Sequence, residues 1–263
     1  MEIVPADRPA SFLLRLDGMD QSLVDLADPT RLAFEYVRRI GDVIDAHAPA
    51  GTPLRVLHVG GAGLTLARYV AITRPRSAQI VLEPDAALIE QVRAELPLPA
   101  RSGIKVRPTD GRTGIAAVRD ASQDLVVVDA FAAGRMPADL TPAAFWQEVA
   151  RVLAPDGRLI ANLVDDAPFR HARRVIAGLR QHLPELVVTA EPATLRGRRQ
   201  GNLVVVAGRA AGAEIATALT AAAARSGAPY RVLDARGVSD TLGGGTPFGD
   251  QDAQPGPEPA RGR

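Results

Sequence analysis

The chain has 263 residues, of which 46% are hydrophobic, and this is enough for one large α/β domain with a small appendage. With 31 basic and 30 acidic residues the net charge is +1, which lacks the basic excess of nucleic-acid-binding proteins. There is no cysteine, which excludes disulfides, thiolate metal sites and a cysteine nucleophile. The four histidines are scattered, so we expect no metal. No signal-peptide pattern or membrane-length apolar run is visible, and these absences predict a cytoplasmic protein that does not associate with a membrane.

Residues 1–50 are predicted to form an N-terminal hairpin and a covering helix. Apolar residues alternate weakly over residues 12–27, with Asp17-Gly18 between the two runs, as in a small β-hairpin. Asp28 and Pro29 are suited to the N-cap and the first position of a helix. That helix would place Leu32, Tyr36 and Ile40 on one face.

From residue 54 onward, apolar runs alternate regularly with helical patterns. The strand candidates are Leu54–Val59, Gln79–Leu82, Ile104–Arg107, Leu125–Val128 and Leu159–Leu163. The helix candidates are Leu64–Thr73, Ala86–Leu96, Gly114–Arg119 and Ala143–Leu153. The alternation predicts an α/β fold with a mostly parallel sheet and helices on both faces.

The last part of the predicted domain, which spans residues 51–236, closes this sheet. A helix around Phe169–Leu183 precedes two strand candidates, Leu186–Ala190 and Leu203–Ala207, and no helical pattern joins those strands. A closing antiparallel pair indicates the seven-stranded, Rossmann-like methyltransferase sheet with one antiparallel strand, rather than an all-parallel nicotinamide-binding sheet. Ala213–Ser226 reads as a terminal helix, and residues 237–263 are poor enough in apolar groups to predict a disordered tail.

A glycine-rich turn follows the first strand of the domain. Its residues Gly60, Gly61, Ala62 and Gly63 allow a sharp turn and a close approach of backbone to ligand at a helix N-terminus. Glu83 ends the second strand, 23 residues after Gly60, where an acid can hold ribose hydroxyls. A tight strand-to-helix turn without a ligand is the alternative interpretation of the glycines.

Two further acids follow the third and fourth strands. Asp110 opens an Asp-Gly turn at a position suited to an adenine amine, although a turn-forming role would also explain it. Asp129 follows an apolar run and can accept a proton from an attacking amine. The alternative for Asp129 is an N-cap or loop acid. Because parallel strands end at one edge, we expect these groups to surround a nucleoside-bearing cofactor.

The order of these motifs resembles the spermidine synthase (polyamine aminopropyltransferase) family, and more closely its actinobacterial spermidine synthase-like branch, over about residues 21–208. The motifs that carry the resemblance are Val56-Leu-His-Val-Gly-Gly-Ala-Gly63, Val81-Leu-Glu-Pro-Asp85, Pro108-Thr-Asp-Gly111, Val127-Val-Asp-Ala130 and Leu153-Ala-Pro-Asp-Gly157. The resemblance implies a pocket for S-adenosylmethionine or decarboxylated S-adenosylmethionine. It implies that Glu83 binds ribose, Asp110 and Gly111 bind adenine, and Asp129 is the catalytic aspartate. It also implies a homodimer.

The chain departs from the family pattern at two acids, of which the first would contact the transferred aminopropyl end and the second would help to hold the diamine. Gly63 stands where the family's glycine turn carries an aspartate, and Ala132 stands at the second acid after the catalytic aspartate. Loss of two carboxylates can weaken binding of a dicationic amine by orders of magnitude. Glu35, Asp165 and Asp166 are candidates to compensate in the acceptor site, with solvated surface acids as the alternative.

These observations predict a transferase that moves an aminopropyl or methyl group to a small-molecule, amine-type acceptor, a polyamine by the family default. Asp129 would be the base, and neither nucleic acid nor metal would take part. A non-catalytic nucleoside-binding protein is a second hypothesis, suggested by the two missing acids. A nicotinamide-dependent oxidoreductase is a third, and the closing antiparallel pair and the lack of a Tyr-x-x-x-Lys motif argue against it.

Overall fold

An N-terminal antiparallel sheet precedes the main domain. The structure is a computed structural model that describes residues 1–260. The small sheet contains strands β1 (Glu2–Pro5), β2 (Ser11–Leu16) and β3 (Met19–Asp25) in that order. The predicted hairpin is β2–β3, and its turn is at Asp17-Gly18, where both residues have positive φ. Strand β1 was not predicted, and it pairs with β2 along the outer edge of the hairpin.

The main domain continues the alternation of strands and helices. Its strands are β4 (Arg55–Val59), β5 (Ala78–Leu82), β6 (Ile104–Arg107), β7 (Gln123–Val128), β8 (Leu153–Asp165), β9 (Glu185–Ala190), β10 (Gly201–Gly208) and β11 (Arg231–Leu233). The helices are α1 (Glu35–His47), α2 (Thr65–Thr73), α3 (Ala86–Glu95), α4 (Gly111–Ala116), α5 (Ala143–Val152), α6 (Arg170–Arg180), α7 (Pro192–Leu195), α8 (Gly212–Arg225) and α9 (Ala235–Leu242). None of the helices within residues 1–260 is long and apolar enough to span a bilayer.

The main sheet has the order β11-β9-β10-β8-β7-β4-β5-β6. Strands β4 to β8 pair in parallel, and β10 runs antiparallel to both of its neighbours, β8 and β9, as predicted. The sheet has eight strands rather than the seven predicted, because β11 adds a second antiparallel strand beside β9. Three partly exposed residues at a sheet edge offer no alternation long enough to predict a strand.

Both faces of the sheet are covered, so its central strands are mainly apolar, with buried polar side chains at positions such as His58, Gln79 and Asn162. Helices α5 and α6 contribute Phe145, Trp146 and Leu179 to the core on one side, and α1 and α8 contribute Ile40 and Leu219 on the other. The N-terminal sheet has its own core contact with the domain. Its buried residues Leu14 and Val24 belong to one cluster with these residues of β5, α3 and the α2 region: Leu64, Ala67, Val81, Leu88, Val92 and Leu96.

Helix α1 begins later than the sequence pattern predicts. Asp28 is not its N-cap, because the Asp28 carboxylate accepts hydrogen bonds from the backbone N–H of Thr30 at 3.1 Å and from its hydroxyl at 2.5 Å. This local turn competes with helix formation. Phe34 is the extended residue before the helix, which therefore starts at Glu35.

Residues 237–260 have a defined structure, which differs from the predicted disordered tail over 237–263. Helix α9 occupies the first part, and the segment 243–260 runs back along α5 and α6. Phe248 is only 2% exposed and lies under the Arg174 guanidinium, 3.8 Å from the ring centroid. Its carbonyl accepts the N–H of Ala143 at 2.9 Å. The average composition did not predict this structure, because a few buried residues such as Phe248 fix the segment. Residues 261–263 lie outside the described part of the chain.

Candidate active site

A cavity of about 510 Å³ lies at the carboxyl ends of β4, β5 and β7, within the range typical of small-molecule sites. Seven of the predicted ligand-binding residues line it: Gly60, Gly61, Ala62, Glu83, Asp110, Gly111 and Asp129. The N-terminal sheet supplies the opposite wall through Leu16, Met19 and Gln21. The topology therefore brings the first three residues of the glycine turn and the predicted acids Glu83, Asp110 and Asp129 to one opening.

The first two glycines of the turn leave no room for a side chain. Gly60 has φ +90°, and a Cβ atom there would lie 2.3 Å from the carbonyl oxygen of Asp129. A Cβ at Gly61 would lie 2.8 Å from the side chain of Val81. The backbone after β4 thus passes directly beside the residue that follows β7, which brings the turn and Asp129 to one place.

Gly63 is not among the residues that line the cavity, although the sequence predicted a cofactor-binding role for it. A Cβ there would lie 2.8 Å from the side chains of Ser22 and Val24. The Gly63 N–H donates to the Ser22 hydroxyl oxygen at 3.2 Å. In the structure this glycine is a close contact between the domain and strand β3.

Glu83 binds the glycine turn directly. Its Oε2 accepts the N–H of Gly61 at 3.1 Å and that of Ala62 at 3.3 Å, while Oε1 accepts the N–H of Asp85 at 3.1 Å. These three backbone groups use both lone pairs of Oε2 and one of Oε1, so Oε1 keeps one acceptor site for a ligand in the cavity. Glu83 therefore shapes the turn and presents an acceptor to the cavity.

Asp110 is the N-cap of α4. Its carboxylate accepts the N–H of Thr113 at 2.7 Å, and this hydrogen bond is the main cause that lowers the pKa of Asp110. The helix begins at Gly111, earlier than the predicted Gly114, because the cap precedes it. A Cβ at Gly111 would lie 2.4 Å from Val59 and 3.0 Å from Leu140. Gly111 is thus tightly packed at the cavity wall.

Asp129 has the environment of a base that works near neutral pH. Burial raises its pKa to about 6, while hydrogen bonds from Asn162 and Tyr36 act in the opposite direction. The Asn162 Nδ2 atom donates to Asp129 Oδ1 at 2.9 Å. A carboxylate with this pKa is largely ionised at pH 7 and can still take up a proton.

The sequence reasoning did not assign roles to Tyr36 and Asn162, which both contact Asp129. Tyr36 lines the cavity, and burial raises its pKa well above the ordinary value. Its position near the start of a helix that covers the sheet edge was a usable signal. Asn162 is a polar residue inside the apolar strand β8, and such a residue requires a hydrogen-bond partner.

The three acids predicted to compensate in the acceptor site do not line the cavity. Glu35 is exposed at the start of α1. Asp165 is buried, and its two oxygens accept the N–H groups of Asp166 and Ala172 at 2.9 and 2.8 Å, next to the start of α6. Asp166 lies beside Asp165 on the same loop. The same cavity is also lined by these uncharged residues: Met19, Ala33, Phe34, Ala130, Phe131, Ala132 and Ala133.

His58 also lines the cavity but has a structural role. Burial lowers its pKa to about 4, so the ring is neutral at pH 7. Its Nε2 lies 2.9 Å from the Gln79 amide oxygen, and Gln79 Nε2 donates to the Ala67 carbonyl at 3.0 Å. Within residues 1–260 no group of three or more potential metal-ligating side chains is present.

No protein-family model matches the chain. A polyamine aminopropyltransferase of Chromobacterium violaceum is 26% identical over 143 residues, which cover 54% of this chain and 53% of the relative. The match thus spans about half the length of that relative. A probable spermidine synthase from Corynebacterium glutamicum superposes with a TM-score of 0.87 and 29% identity. The superposition covers 95% of this chain and 92% of the Corynebacterium chain.

The human methyltransferase-like protein 13, solved in complex with SAH, shares the fold with a TM-score of 0.58 and 22% identity. The superposition covers 72% of this chain and 90% of the human chain. In this chain strand β10 is inserted antiparallel between β8 and β9, which differs from an all-parallel nicotinamide-binding sheet. The chain has the Rossmann-like methyltransferase fold and, as its motifs predicted, resembles the spermidine synthases in sequence and structure.

Proposed function

We propose that the protein is a transferase that binds S-adenosylmethionine or its decarboxylated form and transfers an aminopropyl or methyl group to an amine-type acceptor. One observation carries this proposal: the glycine turn, Glu83, Asp110 and a desolvated Asp129 open onto the same cavity. The spermidine synthase-like relatives and the SAH-bound methyltransferase support the class of reaction.

The residues on the cavity wall fit an adenosine-containing cofactor. Gly60 and Gly61 line the cavity and carry no side chain, so their backbone forms the wall where the ligand would lie. We assign the ribose to Glu83, because its Oε1 keeps an acceptor site that can bind a ribose hydroxyl. Asp110 and Gly111 at the start of α4 would bind adenine. When bound, the cofactor supplies an electrophilic carbon next to its sulfonium.

Asp129 would remove the proton of the acceptor nitrogen. In the transfer a nitrogen–carbon bond forms, the carbon–sulfur bond breaks, and the nitrogen's proton passes to the Asp129 carboxylate. Activity should therefore rise with pH as Asp129 ionises around its pKa of about 6. Asn162 holds the carboxylate in place through its hydrogen bond, and the neighbouring Tyr36 hydroxyl lowers the pKa of Asp129.

The wall around Asp129 favours an acceptor with one amine and an apolar body over a dication. Met19, Phe34 and Phe131 are uncharged, and Ala132 stands where the family pattern has an acid. Asp17, at the tip of the N-terminal hairpin, and Asp139 also line the cavity, but both are exposed and would offer an ammonium only a solvent-screened charge. With cofactor present, butylamine and putrescine can be compared as acceptors. A clear preference for putrescine would mean that the acceptor is a polyamine, as the resemblance implies.

Titration calorimetry with intact and decarboxylated S-adenosylmethionine tests the cofactor assignment. Glu83→Gln should weaken binding at least tenfold, because the charged acceptor is about 1.4 kcal/mol or more better than a neutral one. Glu90→Gln, on the exposed face of α3, is the matched control and should bind normally. Tighter binding of the intact cofactor would favour methyl transfer. No binding of either form would refute the proposal.

A non-catalytic nucleoside-binding protein is the second candidate, because carboxylates are absent at Gly63 and Ala132. Tight cofactor binding without turnover of any amine would support this candidate. If turnover is found, Asp129→Asn must abolish most of it; unchanged turnover would reject Asp129 as the base. By resemblance we also propose that the protein is a cytoplasmic homodimer. Sedimentation of the purified protein can test whether it forms a dimer.

A further inference from the structure

The carboxylate of Asp129 is the end of a chain of hydrogen bonds that crosses the sheet. Asn162 on β8 donates to Asp129, and Asn202 on β10 donates from Nδ2 to Asn162 Oδ1 at 3.0 Å. The backbone carbonyl of Asn202 accepts from Arg39 Nη1 at 3.2 Å. Asn162 and Asn202 are the only asparagines among the 263 residues of the sequence. Both therefore lie in this one chain of contacts.

The direction of the hydrogen bonds is fixed by chemistry. An ionised carboxylate accepts hydrogen bonds and cannot donate, so Asn162 must turn its NH₂ group toward Asp129. The Asn162 oxygen then points away and needs a donor, which Asn202 provides. Asn162 is 1% exposed, so the opposite amide orientation would place its oxygen against the Asp129 carboxylate in a site with little solvent.

Arg39 fixes the far end of the chain. Its side chain is 2% exposed, and Nη1 donates to the Thr189 carbonyl at 2.9 Å as well as to Asn202. One guanidinium group thus holds the adjacent strands β9 and β10. Glu191 and Glu35 are the carboxylates whose charges favour its charged form.

We propose that Asn202 is a positioning residue for the proposed transfer reaction: it fixes the amide of Asn162 so that Asn162 donates to the base Asp129. This inference rests on the proposed function for its catalytic meaning, but the hydrogen-bond chain can be tested without any activity. The other titratable group that contacts the carboxylate is Tyr36, from α1. Tyr36 is unchanged in every variant below.

Two variants of Asn202 separate orientation from packing. Asn202→Leu removes the donor and keeps the approximate size, which frees the Asn162 amide to turn. Asn202→Asp replaces the donor with acceptors and drives Asn162 to reverse. Thr189→Val is the matched control, because the Thr189 hydroxyl is buried on the neighbouring strand and has no hydrogen-bond partner.

The measurement is an NMR titration of the Asp129 side-chain carbon, assigned with Asp129→Asn. With the donor lost, the midpoint of Asp129 should rise by roughly one pH unit in Asn202→Leu and by more in Asn202→Asp. Thr189→Val should leave it unchanged. Selective ¹⁵N-asparagine labelling shows the two side-chain amides alone, and the Asn162 signal should shift as Asp129 titrates in the wild type.

The proposal is overturned if a folded Asn202→Leu protein has the same titration midpoint for Asp129 as the wild type. A shift in Asn202→Asp alone would also overturn it, since the added negative charge then explains the effect. If Asn202→Leu does not fold, Asn202→Ser takes its place with the same expected direction. Cofactor calorimetry on the same samples distinguishes failure of the proposed function from failure of the hydrogen-bond chain.

Discussion

Asp129 is held in a site that disfavours its charge. Its folded-state pKa of about 6 lies above the ordinary value of 3.8, so the folded protein binds a proton more tightly than the unfolded chain. Stability is then greatest below about pH 4 with respect to this group and falls as the pH rises to about 6. The fold tolerates this cost, and the proposed chemistry explains why the carboxylate is retained.

We predict that Asp129→Asn stabilises the protein at pH 8 by about 1–3 kcal/mol, because it removes the desolvated charge. An asparagine oxygen can still accept the Asn162 hydrogen bond. Near pH 4 the gain should shrink toward zero, since Asp129 is protonated in the folded wild type. Urea unfolding at the two pH values measures both differences. An equal effect at pH 4 and pH 8 would show that the charge of Asp129 does not cause it.

Gly60 and Gly18 provide a second test at the residue scale. Both have positive φ, but a Cβ at Gly60 would lie 2.3 Å from a backbone oxygen, whereas none of the described atoms lies within 4 Å at Gly18. Gly18→Ala should cost about 1–2 kcal/mol for the backbone conformation alone. Gly60→Ala should cost clearly more and should abolish cofactor binding. Equal unfolding free energies for the two variants would mean that the close approach at Gly60 relaxes easily.

At the scale of elements, the C-terminal segment 243–260 connects the core to the cavity wall. Besides the buried Phe248, it contributes Gly256, whose N–H donates to the Met136 carbonyl at 2.8 Å. The Gly256 carbonyl accepts from Arg135 Nε at 2.6 Å. These contacts brace the loop that follows Asp129 and carries Phe131 and Ala132 into the cavity.

Phe248→Ala should lower the free energy of unfolding by about 3 kcal/mol, because it empties a buried aromatic site and removes the contact with Arg174. Ile72→Ala, at an exposed position, is the control and should change stability by less than about 0.5 kcal/mol. Limited proteolysis should cut the variant within 243–260. Resistance equal to that of the wild type would show that the hydrogen bonds alone hold the segment.

The regular elements could be predicted because their signals are local. Buried strands such as β4 and β7 are continuous apolar runs, and the acids that follow strands must meet at one sheet edge. The tail and Gly63 depend on contacts between residues distant in sequence, whereas the Asp165 carboxylate accepts the nearby N–H groups of Asp166 and Ala172. Gly63 contacts β3, and segment 243–260 is fixed by Phe248. No local pattern encodes such pairings, so the prediction was wrong for the tail and β11.

At the scale of the whole molecule, the cavity is shared by two parts of the chain. The N-terminal sheet contributes Leu16, Met19 and Gln21, and the main domain contributes the glycine turn and Asp129. The two parts touch at Gly63, whose N–H binds Ser22. A ligand in the cavity therefore contacts both parts and should bind well only when they are docked.

We predict that S-adenosylmethionine, at about 100 times its dissociation constant, adds roughly 2.7 kcal/mol to the unfolding free energy. Hydrogen exchange should slow in β3 and in residues 130–137 over the same ligand concentrations, because both form the cavity wall. Gly60→Ala, measured in parallel, should show neither effect. Protection confined to the main domain would mean that the N-terminal sheet does not form part of the ligand site, and the cavity would then have to be assigned to the domain alone.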